Sequence, residues 1–151
     1  MARIQVARVA TGLVSVPTRI LVVDGESLTR WAICAALAAE GFDAISAADL
    51  VAAGRLAAEW PPPRVVLLDL REPDRDGLEA VSAIRCGYPD CRFVIMTTAR
   101  DCATHAFTDG VELVEKPFDL ARLVRLVTEL AHRSTSTRAP SDEVGKAGDA
   151  A

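Results

Sequence analysis

Three short runs of large aliphatic residues, each almost free of polar interruption, constrain the fold of this chain more than any other feature. They are RILVVD at 19–24, RVVLLD at 64–69 and RFVIMT at 92–97. A strand with one face in water alternates apolar and polar residues, whereas a continuous apolar run is typical of a strand covered on both faces. Two weaker runs, DAIS at 43–46 and ELVE at 112–115, bring the predicted strands to five.

Helical patterns separate these runs. The first predicted helix begins at Ser27, a good N-cap, and ends at Glu40, where Gly41 can adopt the left-handed conformation that stops a helix. The alternation of strands and helices predicts an α/β domain with a parallel sheet and helices on both of its faces. The predicted helices cover 27–40, 49–60, 77–86, 100–109 and 120–131.

Length and composition predict a single domain with flanking segments. The chain has 151 residues, which allows one domain with a substantial core, and we place that domain at 19–133. Residues 1–18 lack a continuous secretory signal and are expected to form a flexible extension, and the polar segment 134–151 is expected to be a disordered tail. No apolar run reaches the roughly 18 residues of a membrane span.

Charge and cysteine content exclude some function classes. The net charge of −4 argues against a nucleic-acid partner, because phosphate binding depends on clustered basic residues. The spacing of the four cysteines is not that of a zinc site, and we expect reduced, mostly buried thiols in a cytoplasmic protein. These cysteines are Cys34, Cys86, Cys91 and Cys102.

Polar residues stand where the predicted strands end. Asp24 and Asp69 end two strands, Thr97 and Thr98 follow a third, and Lys116 follows the last. In an open parallel sheet these ends share one edge, so the residues are expected to meet there. Two converging carboxylates favour a cation such as Mg²⁺, and a carboxylate beside Mg²⁺ can attack a phosphoryl group. Taken singly, each residue has an ordinary explanation as a turn former, a helix cap or a surface charge.

Four motifs together resemble the receiver domain of two-component response regulators, over about 19–133. ILVVDGES resembles the acidic first strand, and VVLLDLREPDRDG resembles the phosphoacceptor strand and its turn. VIMTTA, with Thr98 and Ala99, is similar to the fourth strand, and EKPF supplies Lys116 and Pro117. Lys116 is one of only two lysines in the chain, the other being Lys146 in the tail, and an arginine cannot replace a compact ammonium group.

The resemblance implies a flavodoxin-like (βα)5 fold with five parallel strands in the order 2-1-3-4-5. It implies that a histidine kinase or phosphotransfer protein transfers a phosphoryl group to Asp69, and that Thr98 and Lys116 hold the transferred oxygens. It implies Mg²⁺ as cofactor and a cis peptide bond before Pro117. Such a protein is not an enzyme beyond transient aspartyl phosphorylation and self-dephosphorylation.

The sequence departs from the family pattern at several positions. Gly25 stands where a second acid, a principal Mg²⁺ ligand, is usual, and Glu26 is the candidate to replace it. The metal ligands would then be Asp24, Asp69, Glu26 and the backbone carbonyl of Arg71, and we expect weak Mg²⁺ binding. Leu113 replaces the usual switching aromatic residue, and the segment 99–115 is a few residues short.

The sequence is compatible with three functions. The first is a single-domain receiver in a phosphorelay that signals to a downstream protein partner. The second is a pseudo-receiver, an interaction module that works without phosphorylation. The third is a small phosphohydrolase that uses the DGES segment at 24–27 as its nucleophile motif. Neither a nucleic acid nor a membrane is expected as a partner, and homodimerisation is left open.

Overall fold

The computed structural model describes residues 7–9, 12–59, 61–70, 75–98 and 110–133. The predicted helix at 100–109 and the predicted tail at 134–151 lie outside these residues. In chain order the elements are β1 (Ala7–Val9), β2 (Gly12–Val14), β3 (Arg19–Val23), α1 (Ser27–Ala39), β4 (Asp43–Ala47), α2 (Leu50–Ala57), β5 (Val65–Asp69), α3 (Arg75–Gly87), β6 (Arg92–Thr97), β7 (Val111–Glu115) and α4 (Leu120–His132).

Five of the strands form one parallel sheet in the spatial order β4-β3-β5-β6-β7. Counted along the chain from β3, this is the order 2-1-3-4-5, so the predicted fold is confirmed. The central strand β5 pairs with β3 on one side and β6 on the other, and β4 and β7 are the edge strands. The carboxyl ends of β3, β5 and β6 therefore lie side by side.

The continuous aliphatic runs are explained by two cores, one on each face of the sheet. Ile20 and Val22 of β3 pack in the core beneath α1 and α4. Leu21 and Val23, which point to the opposite face, pack in the core beneath α2 and α3. Because side chains alternate between the faces of a strand, a strand covered twice needs apolar residues at every position.

Element boundaries agree with the sequence analysis to within a few residues. The N-cap of α1 is Glu26 rather than Ser27, and its side chain makes no capping hydrogen bond. The predicted stop is present, since Gly41 follows the helix with a φ of +90°, a backbone conformation that favours glycine. The helix α2 ends at Ala57, three residues earlier than predicted.

A short antiparallel pair of strands precedes the main sheet. Its strands β1 and β2 pair with Ala7 opposite Val14, within the segment for which the sequence predicted only an extension. A strand pair this short has a weak sequence signal, because three residues per strand are too few to establish an alternating pattern. Among the described residues, no helix is long and apolar enough to cross a bilayer.

The cysteines are less uniformly buried than predicted. Cys34, Cys86 and Cys91 are free thiols, and Cys102 lies outside the described residues. Cys91 is buried, and burial raises the pKa of its thiol to about 12. Cys86 is exposed near the end of α3, so the expectation of burial is wrong there, because it lies on the solvent side of that helix.

Candidate functional site

The site is assembled from loops at the carboxyl edge of the sheet, beginning with Asp24 directly after β3. Its backbone N–H donates to the carbonyl of Ala47 at 3.2 Å, which holds the end of β3 beside that of β4. The side chain is buried, and Asp24 is only 1% exposed. Its Oδ1 accepts a hydrogen bond from the backbone N–H of Glu26 at 2.8 Å, whereas its Oδ2 makes none with any described residue.

A lysine ammonium stands between the two aspartates. Lys116 Nζ lies 2.7 Å from Asp69 Oδ1 and 3.8 Å from Asp24 Oδ2. The Asp69 side chain is 17% exposed and that of Lys116 22%, so solvent reaches this pair although it does not reach Asp24. The ammonium therefore balances part of the negative charge that the two strand ends bring together.

The loop after β7 is held against the neighbouring strand. The backbone N–H of Lys116 donates to the carbonyl of Thr97 at 2.8 Å, and the peptide bond between Lys116 and Pro117 is cis. The structure also distinguishes the two threonines at the end of β6. Thr97 is buried within the strand, whereas Thr98 is exposed directly after it. Of these two threonines, therefore, Thr98 is the one whose hydroxyl can meet a group that arrives from solvent.

Gly25 and Glu26 occupy the loop between β3 and α1, and both are exposed. The Glu26 carboxylate accepts a hydrogen bond from the Thr29 hydroxyl at 2.9 Å, which holds it over the first turn of α1. A Cβ atom added at Gly25 would meet only the carbonyl oxygen of Ala48, at 4.0 Å, and the backbone there is not left-handed. A side chain at position 25 is therefore sterically acceptable.

Leu113 lies in the middle of β7, three residues before Lys116. It is opposite Ile95 of β6 and is 38% exposed. It also lines a cavity of about 570 Å³ together with Lys116 and Pro117. Two further predicted site residues, Arg71 and Ala99, lie outside the described residues.

Arg30 also helps to build the site, and the sequence analysis did not identify it. Its Nη1 donates to the backbone carbonyl of Asp24 at 2.5 Å, which ties the first turns of α1 to the loop that carries the aspartate. One signal could have found it. Arg30 is the only charged residue of α1, and a lone charge in an otherwise uncharged helix needs a partner or exposure to solvent.

The oxygen atoms at this site provide only some of the ligands that a hard divalent cation needs. The buried, unbonded Oδ2 of Asp24 and the carboxylate of Asp69 are oxygen ligands of the kind that Mg²⁺ prefers. In the part of the chain that the structure describes, no three or more His, Cys, Asp or Glu residues are grouped so that they could hold a metal ion. Asp24 and Asp69 would hold the ion, with water and phosphate oxygens completing its coordination.

A doubly wound parallel sheet with two aspartates and a lysine at its carboxyl edge places this protein among the flavodoxin-like α/β proteins. The model of the response regulator receiver domain family matches residues 20–128. The chain therefore belongs to the receiver domain family of two-component signalling systems.

Curated relatives and solved structures agree with this assignment. The chain is 33% identical to the transcriptional regulatory protein PrrA of Mycobacterium tuberculosis over 136 residues, which cover 88% of this chain and 57% of PrrA. It is 35% identical to the DNA-binding transcriptional regulator NtrC of Proteus hauseri over 112 residues, which cover 70% of this chain and 23% of NtrC. It thus spans from about a quarter to just over half of these relatives' lengths.

Two solved structures share both fold and substantial identity. One is a two component transcriptional regulator AraC from Clostridium phytofermentans, with a TM-score of 0.62, 33% identity, and coverage of 76% of this chain and 91% of that one. The other is NtrX from Brucella abortus, with a TM-score of 0.63, 31% identity, and coverage of 77% of this chain and 26% of that one.

Proposed function

We propose that Asp69 accepts a phosphoryl group from a histidine kinase or phosphotransfer protein, and that the phosphorylated domain signals through contacts with a downstream protein. The observation that carries this proposal is the 2.7 Å contact between Lys116 Nζ and Asp69 Oδ1, at a solvent-accessible strand end and beside the buried Asp24. A nucleophile must be held rigidly and still be reachable, and the end of a fully buried strand provides both conditions.

The transfer step exchanges one bond for another. A carboxylate oxygen of Asp69 forms the new P–O bond while the P–N bond of the donor phosphohistidine breaks, and the leaving imidazole nitrogen keeps the electron pair. The Lys116 ammonium, already at Asp69, then pairs with an oxygen of the transferred group. The exposed Thr98 hydroxyl donates to another of these oxygens, and hydrolysis of the acyl phosphate returns Asp69 to its free state.

Mg²⁺ is the cofactor that this role would require, and Asp24 and Asp69 would hold it. When bound, it neutralises negative charge on the phosphoryl oxygens. We expect it to bind weakly, because position 25 offers no carboxylate and the Glu26 carboxylate is hydrogen-bonded to Thr29. The backbone carbonyl of Arg71 remains a predicted ligand.

The central experiment is incubation with acetyl phosphate and Mg²⁺, followed by intact-mass measurement. We expect the wild type to gain the mass of one phosphoryl group, and Asp69→Asn to gain none. The matched control is Asp90→Asn, because Asp90 is exposed in the turn before β6 and should leave incorporation unchanged. Incorporation at the wild-type rate in Asp69→Asn would refute the proposed acceptor.

Gly25 favours a second candidate, the pseudo-receiver. In this alternative the domain binds its partner without phosphorylation, because the metal site is too weak to support transfer. It predicts no mass gain at any Mg²⁺ concentration and identical partner binding by the wild type and Asp69→Asn.

We further propose that the protein acts in the cytoplasm as a single receiver domain. Immunoblotting of cell fractions tests both points, because it reports the size of the protein and its location.

A further inference from the structure

The outward face of α1 carries no charge, although a quarter of the residues of this chain are charged. Arg30 is the only charged residue of the helix, and it is bonded to the Asp24 carbonyl. The exposed residues include Leu28 and Trp31, whose exposures of 74% and 71% are the largest among the large hydrophobic residues described. An apolar surface of this kind marks a contact site rather than ordinary solvent-facing helix.

This surface is a regular stripe. It consists of Leu28, Trp31, Ala35 and Ala38, which are all exposed and follow one another at intervals of three, four and three residues. That spacing is the one that aligns residues along a helix–helix contact. The buried residues of α1 are Ile33 and Leu37, which pack against the sheet on the other side. The helix thus has two apolar faces, and the sheet covers only one of them.

The α1 stripe is complementary to itself. Its two large residues lie in the first half of the helix and its two alanines in the second half. If two such helices pack antiparallel and cross at the level of residue 33, Leu28 of one copy is opposite Ala38 of the other, and Trp31 is opposite Ala35. Each large side chain then meets a small one, as an interface with twofold symmetry requires. We propose that a second copy of this chain covers the α1 stripe in this antiparallel arrangement.

The surface beside the stripe suits the same twofold contact. A groove of about 770 Å³ runs between α1 and α4, and Ala36, Ala39 and Val124 contribute to its floor. Glu40, Arg125 and Glu129 line the same groove. Because these charges have both signs, a twofold axis can place the arginine of one copy near a glutamate of the other.

The available area indicates a weak, reversible dimer. The helix has 13 residues and is about 20 Å long, so the stripe alone is short. A buried tryptophan removes roughly 150–250 Å² from solvent, so two of them with two leucines supply about half of the roughly 1,200 Å² that marks the lower limit of a specific interface, and the groove rims must supply the rest. Dissociation in the micromolar range is therefore expected, on the order of 1–100 µM.

Sedimentation velocity over a wide range of concentration tests the proposal. The wild type should pass from monomer to dimer, whereas Ala35→Glu should stay monomeric, because a carboxylate would be buried against Trp31 of the other copy. The matched control is Ala83→Glu, an exposed alanine of α3 outside the stripe, which should dimerise like the wild type. Far-UV circular dichroism verifies that all three proteins are folded.

A charge-swap experiment tests the antiparallel register. Trp31→Arg and Ala35→Glu should each be monomeric alone, since their homodimers lose both large–small pairs. When mixed, they should form a heterodimer in which the introduced guanidinium meets the introduced carboxylate while one Trp31–Ala35 pair is retained. A dimer of the wild type with no heterodimer from this mixture would overturn the proposed register.

Two results would overturn the dimer itself. One is a wild type that stays monomeric up to roughly 500 µM, well above the expected dissociation constant; the stripe would then bind a different protein, such as the phosphoryl donor. The other is a dimer that Ala35→Glu does not weaken. The proposal is independent of the phosphorylation chemistry, so Asp69→Asn should dimerise with the wild-type constant.

Discussion

Lys116 shows how much of this site depends on one side chain. Its ammonium contacts Asp69 at 2.7 Å and lies 3.8 Å from Asp24, so a single compact cation serves two carboxylates. Asp24 has no exposed side-chain area and cannot exchange this partner for bulk water. The size and shape of the cation should therefore matter as well as its charge.

Substitution of Lys116 by arginine tests this dependence. Lys116→Arg keeps the charge but replaces the compact ammonium with a planar guanidinium group, which cannot approach the Asp24 and Asp69 carboxylates in the same way. On the proposed function, phosphorylated Lys116→Arg should bind the downstream partner about tenfold or more weakly, comparable to Lys116→Met, since about 1.4 kcal/mol corresponds to a factor of ten. The control is Arg122→Lys, an exposed residue of α4. Wild-type partner binding by Lys116→Arg would contradict the proposed role.

Gly25 is the second residue with a specific expectation. Gly25→Asp adds an oxygen ligand where the nearest backbone atom is 4.0 Å from the new Cβ, so we expect tighter Mg²⁺ binding without loss of fold. Even an outer-sphere partner changes metal affinity by about 10–100-fold, and a ligand should do at least as much. Isothermal titration of Mg²⁺ measures the change.

The controls for Gly25→Asp separate a ligand from a general charge effect. Gly54→Asp places the same carboxylate on the exposed face of α2 and should leave Mg²⁺ affinity unchanged. Glu26→Gln should also have no effect, because the Glu26 carboxylate already accepts from Thr29. Weaker Mg²⁺ binding in Glu26→Gln would show that Glu26 supplies the ligand missing at position 25.

At the scale of single elements, the helices differ in whether the free backbone N–H groups of their first turns receive a capping hydrogen bond. Asp119 caps α4, and its Oδ1 accepts from the backbone N–H groups of Ala121 and Arg122 at 2.8 and 3.1 Å. Asp49 caps α2 in a similar way through Ala52. Glu26 precedes α1 without a capping bond, so that helix depends on its buried face and on Arg30.

Removal of the caps should follow this difference. Asp119→Ala should lower the free energy of unfolding by about 1 kcal/mol, because two backbone N–H groups lose their acceptor. Glu26→Ala is the matched control at an N-cap without a capping bond, and it should cost much less. Urea unfolding followed by circular dichroism measures both. An equal loss in the two variants would show that the Asp119 bonds add no stability.

At the scale of the whole molecule, the sheet divides the interior into two cores. Cys91 lies in the core beneath α2 and α3, whereas Cys86 is exposed near the end of α3. Because burial raises the pKa of the Cys91 thiol to about 12, almost none of it is thiolate near pH 8 in the folded protein. Reaction of Cys91 therefore requires opening of that core.

Thiol labelling should report this opening. With iodoacetamide at pH 8, Cys86 should be modified within minutes, and Cys91 only at the rate of opening or unfolding. Peptide mass spectrometry resolves the two sites in the wild-type protein. Addition of urea should raise the Cys91 rate in parallel with the unfolded fraction while the Cys86 rate changes little. Equal rates in native buffer would contradict the burial of Cys91.

Much of this protein could be predicted from local patterns. The aliphatic runs identified the five strands of the sheet, and the stripe from Leu120 to Ala131 identified α4, because both periodicities arise from the geometry of single elements. The four motifs at the strand ends also identified the family. The same patterns placed Ser27 at the cap of α1 and missed the paired strands β1 and β2, since boundaries and very short strands have weak signals.

Other features depended on distances that no local pattern contains. The sequence alone determined that Asp24, Asp69 and Lys116 stand at strand ends. Only the tertiary structure decided that the ammonium contacts Asp69, that Oδ2 of Asp24 is buried without a hydrogen bond, and that Arg30 binds the Asp24 carbonyl. It likewise decided which apolar face of α1 the sheet covers. Burial and contact are properties of elements packed against one another, so they arise only when the sheet and its helices assemble.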